Sequence, residues 1–366
     1  MEIVYFFKDY QTPMYQWQHV HIISELAAHN CHVHIINPLV YSTSEEANEA
    51  LLKYIDAHKV DLFMTPHNEE DLFIETVEDI KRKGIPTLLI CFDNLVVPFI
   101  HYKIAPHFDL AWLTSKETKP LFDRLGVNSI FLPYAANPNL KRCNEEIEGV
   151  GFVGSPYGSR ANMINALTEN GIPVYCHCIK GKSVSKADEL ISQSPWETFH
   201  IGIEMLKFSQ GRKIIKGAIT NHFKKTKTLS DNPELHKLSV VPPTELYMLY
   251  PKYSLALSST AARNTGVLKH PLHIVNLRSF EIPMSGGLQI CQYSEEIAEY
   301  FEDDKEIILY NSQEEMIDKA RFYCSPKQAN RRMIMRESAR QRAEQNHTWF
   351  IRFSKVFNCL GIPYVN

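Results

Sequence analysis

The chain has 366 residues, more than a single hydrophobic core usually serves, so its length predicts two domains. Hydrophobic residues make up 44% of the sequence and charged residues 22%, which excludes an intrinsically disordered chain. The formal net charge of −3 excludes a general attraction to nucleic acid or anionic lipid, so such an attraction would need a local patch. We therefore expect no nucleic-acid partner.

The cysteines and the N-terminus indicate a compartment. Eight cysteines follow no disulfide-scaffold spacing, and several lie in apolar strand-like runs, so reduced thiols are expected. The segment Cys176-His-Cys178 is followed by no second ligand pair at zinc spacing, and we predict no metal site. The apolar run at the N-terminus, residues 1–7, is too short for a signal peptide and contains an acidic residue. No apolar run approaches the roughly 18 residues of a membrane span. A cytoplasmic protein is expected.

The first third of the chain alternates short apolar runs with longer amphipathic ones. The predicted strands are residues 3–7, 32–37, 62–65, 87–92, 110–114 and 129–133. The predicted helices are residues 18–28, 45–57, 70–83 and 116–125. Strands separated by helices of this length favour right-handed crossovers and a parallel sheet covered on both faces. An N-terminal domain is therefore predicted at residues 1–140.

A polar segment without periodicity, residues 140–148, predicts a linker, after which the pattern restarts. Strands are predicted at residues 151–154 and 173–178, with a helix at 160–170 between them. The sequence thus predicts an α/β protein of two tandem, doubly wound Rossmann-like domains with a cleft between them. The second domain is predicted at residues 149–345.

An atypical stretch, about residues 180–237, interrupts the second domain and is long for a connection. We predict a helical insertion or lid there. Its residues 207–227 are rich in lysine and arginine and include Phe208 and Phe223. Two interpretations stay open: a solvated basic face, or contact with an anionic acceptor or the inner membrane surface.

The stretch Asn276-Leu-Arg-Ser-Phe-Glu-Ile-Pro-Met-Ser-Gly-Gly287 combines an arginine, a carboxylate and a glycine pair. Arg278 and Glu281 are three residues apart and would share one face of a helix. The guanidinium offers a fork of donors to phosphate oxygens, and the carboxylate can accept both hydrogens of a ribose diol. Gly286 and Gly287 are placed to end that helix before a buried strand. This pattern favours a nucleotide-diphosphate site; the alternative is a buried Glu–Arg pair that caps a helix.

The same stretch resembles the C-terminal donor-binding motif of GT-B glycosyltransferases, most closely the spore-maturation-type group. The resemblance covers most of the chain beyond Gly149 and, more loosely, the first domain. It implies a GT-B fold, a UDP- or GDP-linked sugar as donor, no further cofactor or metal, and a glycan, glycolipid or protein acceptor. It implies that Glu281 binds the ribose and that Asn276, Arg278, Gly286 and Gly287 belong to the donor site. It also implies that the C-terminal segment, residues 346–366, carries a helix that crosses back to the first domain.

A glycine-rich segment precedes this motif. Gly149-Val-Gly-Phe-Val-Gly154 satisfies the dinucleotide spacing, but its glycines lie within a predicted strand rather than after it, which argues against NAD. The following turn, residues 154–160, resembles the first strand-to-helix loop of the family's C-terminal domain. The resemblance implies that the backbone donors of Gly154 and Ser155 and the cation of Arg160 approach the donor diphosphate. The alternative is a plain glycine turn with a surface arginine.

An inverting transferase needs one base within reach of the acceptor hydroxyl. Asp93 is the first candidate, because it follows an apolar strand and the resembling group commonly has an acidic residue there; His67 is the second. Capping of the following helix is the alternative for both. Compared with a larger, retaining family, His273 replaces a sugar-contacting glutamate and Phe92 a histidine. These departures leave retention or inversion of stereochemistry open.

Three functions therefore remain open. The first is a glycosyltransferase that moves a sugar from a nucleotide-diphosphate donor to a hydroxyl-bearing acceptor. The second is a nucleotide-sugar epimerase or hydrolase on the same scaffold, since a fold does not fix a function. The third is a non-catalytic nucleotide-sugar-binding protein, if the two departures have abolished turnover. The sugar, the base and the acceptor leave no side-chain signature in the sequence.

Overall fold

The computed structural model describes residues 1–10, 13–140, 145–156, 158–179, 195–224 and 228–363. The chain divides into two compact units. The first unit comprises Met1–Tyr134 and Trp349–Asn366, and the second comprises Ala135–Thr348. Each unit contains one six-stranded, parallel sheet with helical connections. This architecture confirms the predicted α/β class with two doubly wound, Rossmann-like sheets.

The sheet of the first unit has the strand order β2-β1-β3-β4-β5-β6. Its strands are β1 (Glu2–Phe6), β2 (His32–Ile36), β3 (Leu62–Thr65), β4 (Thr87–Cys91), β5 (Leu110–Leu113) and β6 (Ser129–Phe131). Every residue of β3, β4 and β5 is buried. Parallel strands that are covered on both faces are continuous apolar runs, which is why the sequence located them to within two residues.

The helices of the first unit connect these strands. They are α1 (Pro13–Gln18), a π-helical turn (His19–Ile23), α2 (Ser24–Ala28), α3 (Ser44–Ala57), α4 (Ile74–Arg82) and α5 (Lys119–Arg124), with 3-10 turns at Pro38–Val40, Pro98–His101, Ala105–His107 and Lys116–Thr118. Helix α3 shows how the sequence sets such an element. The hydroxyl of Thr43 accepts the N–H of Glu46 (3.2 Å) and caps the helix. Ala47, Leu51 and Ile55, four residues apart, form its buried face.

The sheet of the second unit has the strand order β12-β11-β10-β7-β8-β9. Its strands are β7 (Ile147–Val153), β8 (Val174–Ile179), β9 (Leu235–Ser239), β10 (Tyr253–Leu257), β11 (Gln289–Gln292) and β12 (Ile308–Tyr310). Read from β9, this is the 3-2-1-4-5-6 order of dinucleotide-binding sheets. The order reverses between β7 and β10, and ligands of open α/β sheets bind outside the carboxyl ends of the strands at such a point.

The helices of the second unit follow the same alternation. They are α6 (Ser159–Glu169), α7 (Pro195–Leu206), α8 (Ser209–Lys224), α9 (Pro243–Leu249), α10 (Arg278–Met284), α11 (Glu295–Tyr300), α12 (Gln313–Cys324) and α13 (Ala329–Asn346), with 3-10 turns at Arg263–Val267 and Pro326–Gln328. Strand residues Val150 and Leu255 share a buried core with Ile164 of α6 and Met316 of α12. In the part of the chain that the structure describes, no helix is long and apolar enough to cross a bilayer.

The predicted linker needs correction, because β7 begins at Ile147 and not after residue 148. Glu146, which looked like part of a solvated linker, forms ion pairs with Arg332 and Arg336 of α13. Arg332 is buried, and it also donates to the carbonyl of Ser325 (2.8 Å). Glu146 is therefore tied to α13 by one buried and one partly buried arginine, which no local pattern reveals.

The predicted end of the insertion also needs correction. Strand β9 begins within the last residues assigned to the insertion and pairs with β8 at the edge of the sheet. No residue of β9 is fully buried, because an edge strand is covered less than a central one, and the strand therefore lacks the apolar run that marks the others. Helices α7 and α8 fill residues 195–206 and 209–224 of the segment. Its first part, residues 180–194, lies outside the described residues.

The last helix, α14 (Trp349–Leu360), belongs to the first unit. The buried carboxylate of Glu25 accepts the backbone N–H groups of Trp349 (3.1 Å) and Phe350 (2.9 Å). A negative charge at a helix N-terminus is favourable, because the first N–H groups of a helix have no partner within it. The ring of Phe353 packs edge-on against Trp112 of β5 at a centroid distance of 5.3 Å. Capping and packing together hold α14 in this unit.

Candidate functional site

Arg278 and Gly154 meet where the strand order of the second sheet reverses. Gly154 directly follows β7 and has φ 126°, a conformation that side chains other than glycine rarely adopt. A Cβ atom at this position would lie 3.0 Å from Nη2 of Arg278. The guanidinium thus rests against the backbone at Gly154. The structure brings a cation and an open stretch of backbone together at the expected ligand position of this sheet.

Asn276 fixes the start of α10, the helix that carries Arg278. Its Oδ1 accepts the backbone N–H of Arg278 (3.1 Å), and its Nδ2 donates to the carbonyl of Ser259 (3.3 Å), just beyond β10. The side chain therefore joins α10 to the end of β10 and sets the direction of the arginine. This is a positioning role, and a direct contact of Asn276 with a donor stays a prediction.

Glu281 lies one turn after Arg278 and is only 3% exposed. Its Oε2 accepts a hydrogen bond from the hydroxyl of Tyr250 (3.3 Å). Burial, together with the nearby charge of Glu281, raises the pKa of Tyr250 far above its ordinary value, so the phenol stays protonated and donates. Arg278 also contacts Tyr250 and opposes this shift. Tyr250, which sequence reasoning missed, thus connects the cation and the carboxylate of the motif.

The glycine pair ends α10, as the sequence predicts. Gly286 has φ 83° and donates to the carbonyl of Pro283 (2.9 Å), while Gly287 donates to the carbonyl of Ile282 (2.9 Å). These are the two hydrogen bonds of a Schellman motif. A Cβ atom at Gly287 would lie 3.0 Å from the carbonyl oxygen of Tyr250. The two glycines therefore end the helix and leave room for the backbone of Tyr250. A contact of either glycine with a donor stays a prediction.

The loop after β7 carries the other predicted donor residues. Nη1 of Arg160, in the first turn of α6, donates to the carbonyl of Ser155 (3.4 Å), so the arginine is folded over its own loop. Helix α6 begins after Gly158. Ser159 packs so closely against Gly266 that position 266 has no room for a side chain. The start of α6 is therefore packed on the segment that follows β10. Gly154 and Ser155 lie in the loop before α6, and Arg160 lies in its first turn.

His273, which stands where a larger family has a glutamate, lies behind the same loops. Its Nδ1 is 2.9 Å from Oγ1 of Thr260, which follows β10. Burial lowers the pKa of His273, and the positive charge of Lys213 on α8 lowers it further. The imidazole is therefore a neutral hydrogen-bonding group near neutral pH. The effect of Lys213 also shows that α8 passes close to the loop after β10.

In the first unit, Asp93 is exposed and held by Tyr134. Asp93 lies two residues beyond β4 and has φ 49°, an uncommon conformation for a residue with a side chain. The hydroxyl of Tyr134 donates to Oδ1 of Asp93 (3.0 Å) and accepts its backbone N–H (3.3 Å). Burial, with the charge of Asp93, raises the pKa of Tyr134, so the hydroxyl remains a donor. Asp93 caps no α-helix; the next helical element is the 3-10 turn Pro98–His101.

His67, the second candidate base, is engaged on both sides of its ring. Nε2 accepts the backbone N–H of Lys8 (2.9 Å), and Nδ1 lies 3.0 Å from the carboxylate of Asp71. Burial lowers the pKa of His67, although Asp71 opposes the shift. A base needs an available lone pair, and this ring offers none. In this geometry His67 joins the ends of β1 and β3, and its role as a base stays a prediction.

Most of the sequence of the second unit matches a known protein family. Residues 161–358 match the family model of glycosyl transferase-like proteins, a range that includes the motif at residues 276–287 but begins just after Arg160. No curated protein sequence matches the chain.

Solved structures resemble the whole chain at low sequence identity. HepE (Alr3699) of Anabaena, in complex with UDP and glucose, is 12% identical, with 99% of each chain covered and a TM-score of 0.56. An alpha-glucosyltransferase in complex with UDP-glucose and DNA containing an abasic site is 11% identical, with the same coverage and a TM-score of 0.60. Sucrose-phosphate synthase of Thermosynechococcus elongatus is 12% identical, also with 99% of each chain covered, at 0.55. These likenesses show the fold. Because the family match spans more than half of the sequence, the chain belongs to the glycosyl transferase-like family and is a glycosyltransferase with the GT-B fold.

Proposed function

We propose that the protein transfers a sugar from a nucleotide-diphosphate-sugar to a hydroxyl group of a glycan, glycolipid or protein acceptor. The main support for the proposal is that the Arg278 guanidinium lies against the backbone of Gly154, where the strand order of the second sheet reverses. A cation beside an open backbone at this point suits a diphosphate. Two of the similar structures named above, HepE and the alpha-glucosyltransferase, hold UDP or UDP-glucose, which makes a UDP-linked sugar the first donor to test.

Each donor residue has a separate task in this proposal. Arg278 binds the diphosphate and stabilises the negative charge that grows on it as the sugar–phosphate bond breaks. The backbone N–H of Ser155, with the N-terminus of α6, adds further donors to the same charge. The N–H of Gly154 donates instead to the carbonyl of His177 (3.2 Å). Glu281, held by Tyr250, accepts the hydroxyl groups of the ribose. The charge is thereby stabilised by groups of the protein itself, and no metal ion is required.

Asp93 is the proposed base for a displacement with inversion. Its carboxylate takes the proton of the acceptor hydroxyl while the oxygen forms the new bond to the sugar and the nucleoside diphosphate leaves with the electron pair. Tyr134 acts as a positioning residue, because its hydroxyl fixes both the carboxylate and the backbone of Asp93. Two half-buried rings, Trp17 and Phe92, pack against the ring of Tyr134, with a centroid distance of 5.2 Å between them. Such rings offer an apolar surface to a sugar ring.

The test is the release of nucleoside diphosphate from UDP- and GDP-linked sugars, with and without candidate acceptors. Acceptor-dependent release is expected, and the Asp93→Asn variant should lack it while still binding the donor. Release that needs no acceptor would indicate a hydrolase, and an epimerised donor would indicate an epimerase. Donor binding without any turnover would indicate a non-catalytic binding protein. Each of the last three results would contradict the proposal.

A further inference from the structure

Helices α7 and α8 form a pair with one apolar face turned to the protein. Met205, Phe208 and Ile214 are buried. Gly211 lies against the backbone of Met205 so closely that a side chain could not be accommodated, which brings the start of α8 near to the end of α7. Helix α8 also packs against the 3-10 turn Arg263–Val267. The pair is thus anchored to the second unit through a single face.

Both helices of the pair also expose apolar side chains, which define what we call the outer face of the pair. On α7, Phe199, Ile203 and Leu206 follow one another at helical spacing and are 59%, 41% and 53% exposed. On α8, Ile219 and Phe223 are four residues apart, and Phe223 is 79% exposed. Soluble proteins rarely leave such large apolar side chains together in water, so this outer face is typical of an interaction surface.

The positive charge of residues 207–227 indicates an anionic partner. Residues 207–227 contain seven lysines and arginines and no aspartate or glutamate, in a chain whose formal net charge is −3. Arg212, Lys216, Ile219 and Phe223 are spaced by four, three and four residues, and all four are exposed. One stripe of α8 therefore presents two cations followed by two apolar side chains.

We propose that the outer face of the α7–α8 pair docks on an anionic lipid surface. Cations on such a stripe attract anionic headgroups, while phenylalanine and isoleucine insert at the boundary of the acyl chains. A second copy of the chain fits the surface less well, since the same cations would face each other. The proposal is independent of the transferase chemistry, because Ile219 and Phe223 lie outside the loops that carry the donor residues.

Vesicle flotation tests the proposal on the full-length protein. Binding to vesicles of phosphatidylcholine mixed with phosphatidylglycerol is expected, and binding to phosphatidylcholine alone should be much weaker. Added salt should weaken the binding, because surface charges are screened beyond about 8 Å at physiological ionic strength. The double variant Ile219→Ser, Phe223→Ser should lower the partition coefficient about tenfold. Lys216→Glu should lower it by a similar factor, on the anionic vesicles only.

The matched control is the double variant Phe322→Ser, Ile334→Ser, which removes two side chains of 46% and 56% exposure outside the pair. It should bind vesicles like the wild type. Nucleotide binding, measured by calorimetry, should be equal in the wild type and in all these variants. Equal binding would show that the variants are folded. Absence of binding to the anionic vesicles, or an equal loss in the control variant, would overturn the proposal. A concentration-dependent dimer that is lost in the Ile219→Ser, Phe223→Ser variant would also overturn it, in favour of a second copy.

Discussion

The carboxyl ends of the two sheets are built from similar residue types but arranged differently. In the second unit, glycine at positive φ leaves the backbone open beside Arg278, and the side chains of α10 converge on Tyr250. In the first unit, Lys8, His67 and Asp71 bond one another and close the end of β1 against β3. Polar residues at strand ends are therefore not equivalent. Those that satisfy each other hold loops together, and those that stay exposed on a fixed backbone are the better candidates for chemistry.

Within the first unit, Asp93 and His67 represent these two cases, and their substitution gives the largest expected contrast. Asp93→Asn removes the proposed base and should lower kcat about 10²- to 10⁴-fold. His67→Asn should change kcat little but lower the free energy of unfolding by about 1–3 kcal/mol, because the part-buried N–H of Lys8 loses its acceptor. Steady-state kinetics and urea denaturation measure the two effects. An inactive, stable His67→Asn variant would reverse the assignment.

Tyr134→Phe sharpens the same contrast, because it removes a positioning hydroxyl without touching the base. The rate should fall less than in Asp93→Asn. The acid limb of the pH profile of kcat/KM should move to higher pH, since the charged carboxylate loses a hydrogen bond. A merely structural tyrosine would change stability and leave the position of that limb unaltered.

At the end of the second sheet, Arg278→Ala is expected to lower kcat/KM about 10²- to 10³-fold, because the variant lacks a donor aimed at developing charge. Arg278→Lys should recover only part of this loss, since a point charge does not replace the fork of a guanidinium. Arg321→Ala serves as the control, because Arg321 forms an exposed ion pair with Asp318 on α12. Equal losses in the Arg278→Ala and Arg321→Ala variants would show that the effect is not specific to the site.

A buried histidine, His101, should also make the first unit sensitive to acid. His101 is 2% exposed, and burial lowers its pKa to about 4, although a hydrogen bond with the carbonyl of Pro66 opposes the shift. Its unfolded-state pKa is about 6.5, so the unfolded chain binds more protons between these values and stability falls as the pH drops through them. The contribution of His101 to the free energy of unfolding should therefore decrease by about 3 kcal/mol between about pH 7 and pH 4.

Tryptophan fluorescence during urea denaturation measures this effect, since three of the four tryptophans belong to the first unit. A His101→Gln variant should lose this contribution to the pH dependence and serves as the control. A wild type and a variant with the same slope of stability against pH would contradict the assignment to His101.

Gly154→Ala is expected to have a smaller effect on the donor. A side chain at φ 126° is strained, and its Cβ would press on the guanidinium of Arg278. The donor KM should rise about tenfold through strain of about 1–2 kcal/mol. Gly126→Ala is the matched control, since Gly126 has φ 71° but no atom within 4 Å of an added Cβ. The control should lose stability without a change in the donor KM.

Local patterns predicted the central strands and the motif residues, because buried parallel strands are apolar runs and because Arg278 and Glu281 are adjacent on one helix. They did not predict Tyr250 or Tyr134. Each of these hydroxyls reaches a carboxylate 31 or 41 residues away in the chain, and such pairs arise only from tertiary folding. Strand β9 was missed for a related reason, since an edge strand needs no apolar run. The hydrogen bond of His67 with the N–H of Lys8 could not be foreseen either, because the two residues follow different strands.

Calorimetric titration with nucleoside mono- and diphosphates tests most directly whether the donor binds at the reversal point of the second sheet. The wild type should bind the diphosphate more tightly than the monophosphate, and Arg278→Ala should remove most of that difference. Glu281→Gln should weaken both ligands by a similar factor of several-fold or more, because the two share the ribose and the lost hydrogen bonds are worth about 1–3 kcal/mol. Wild-type affinities in both variants would contradict the account.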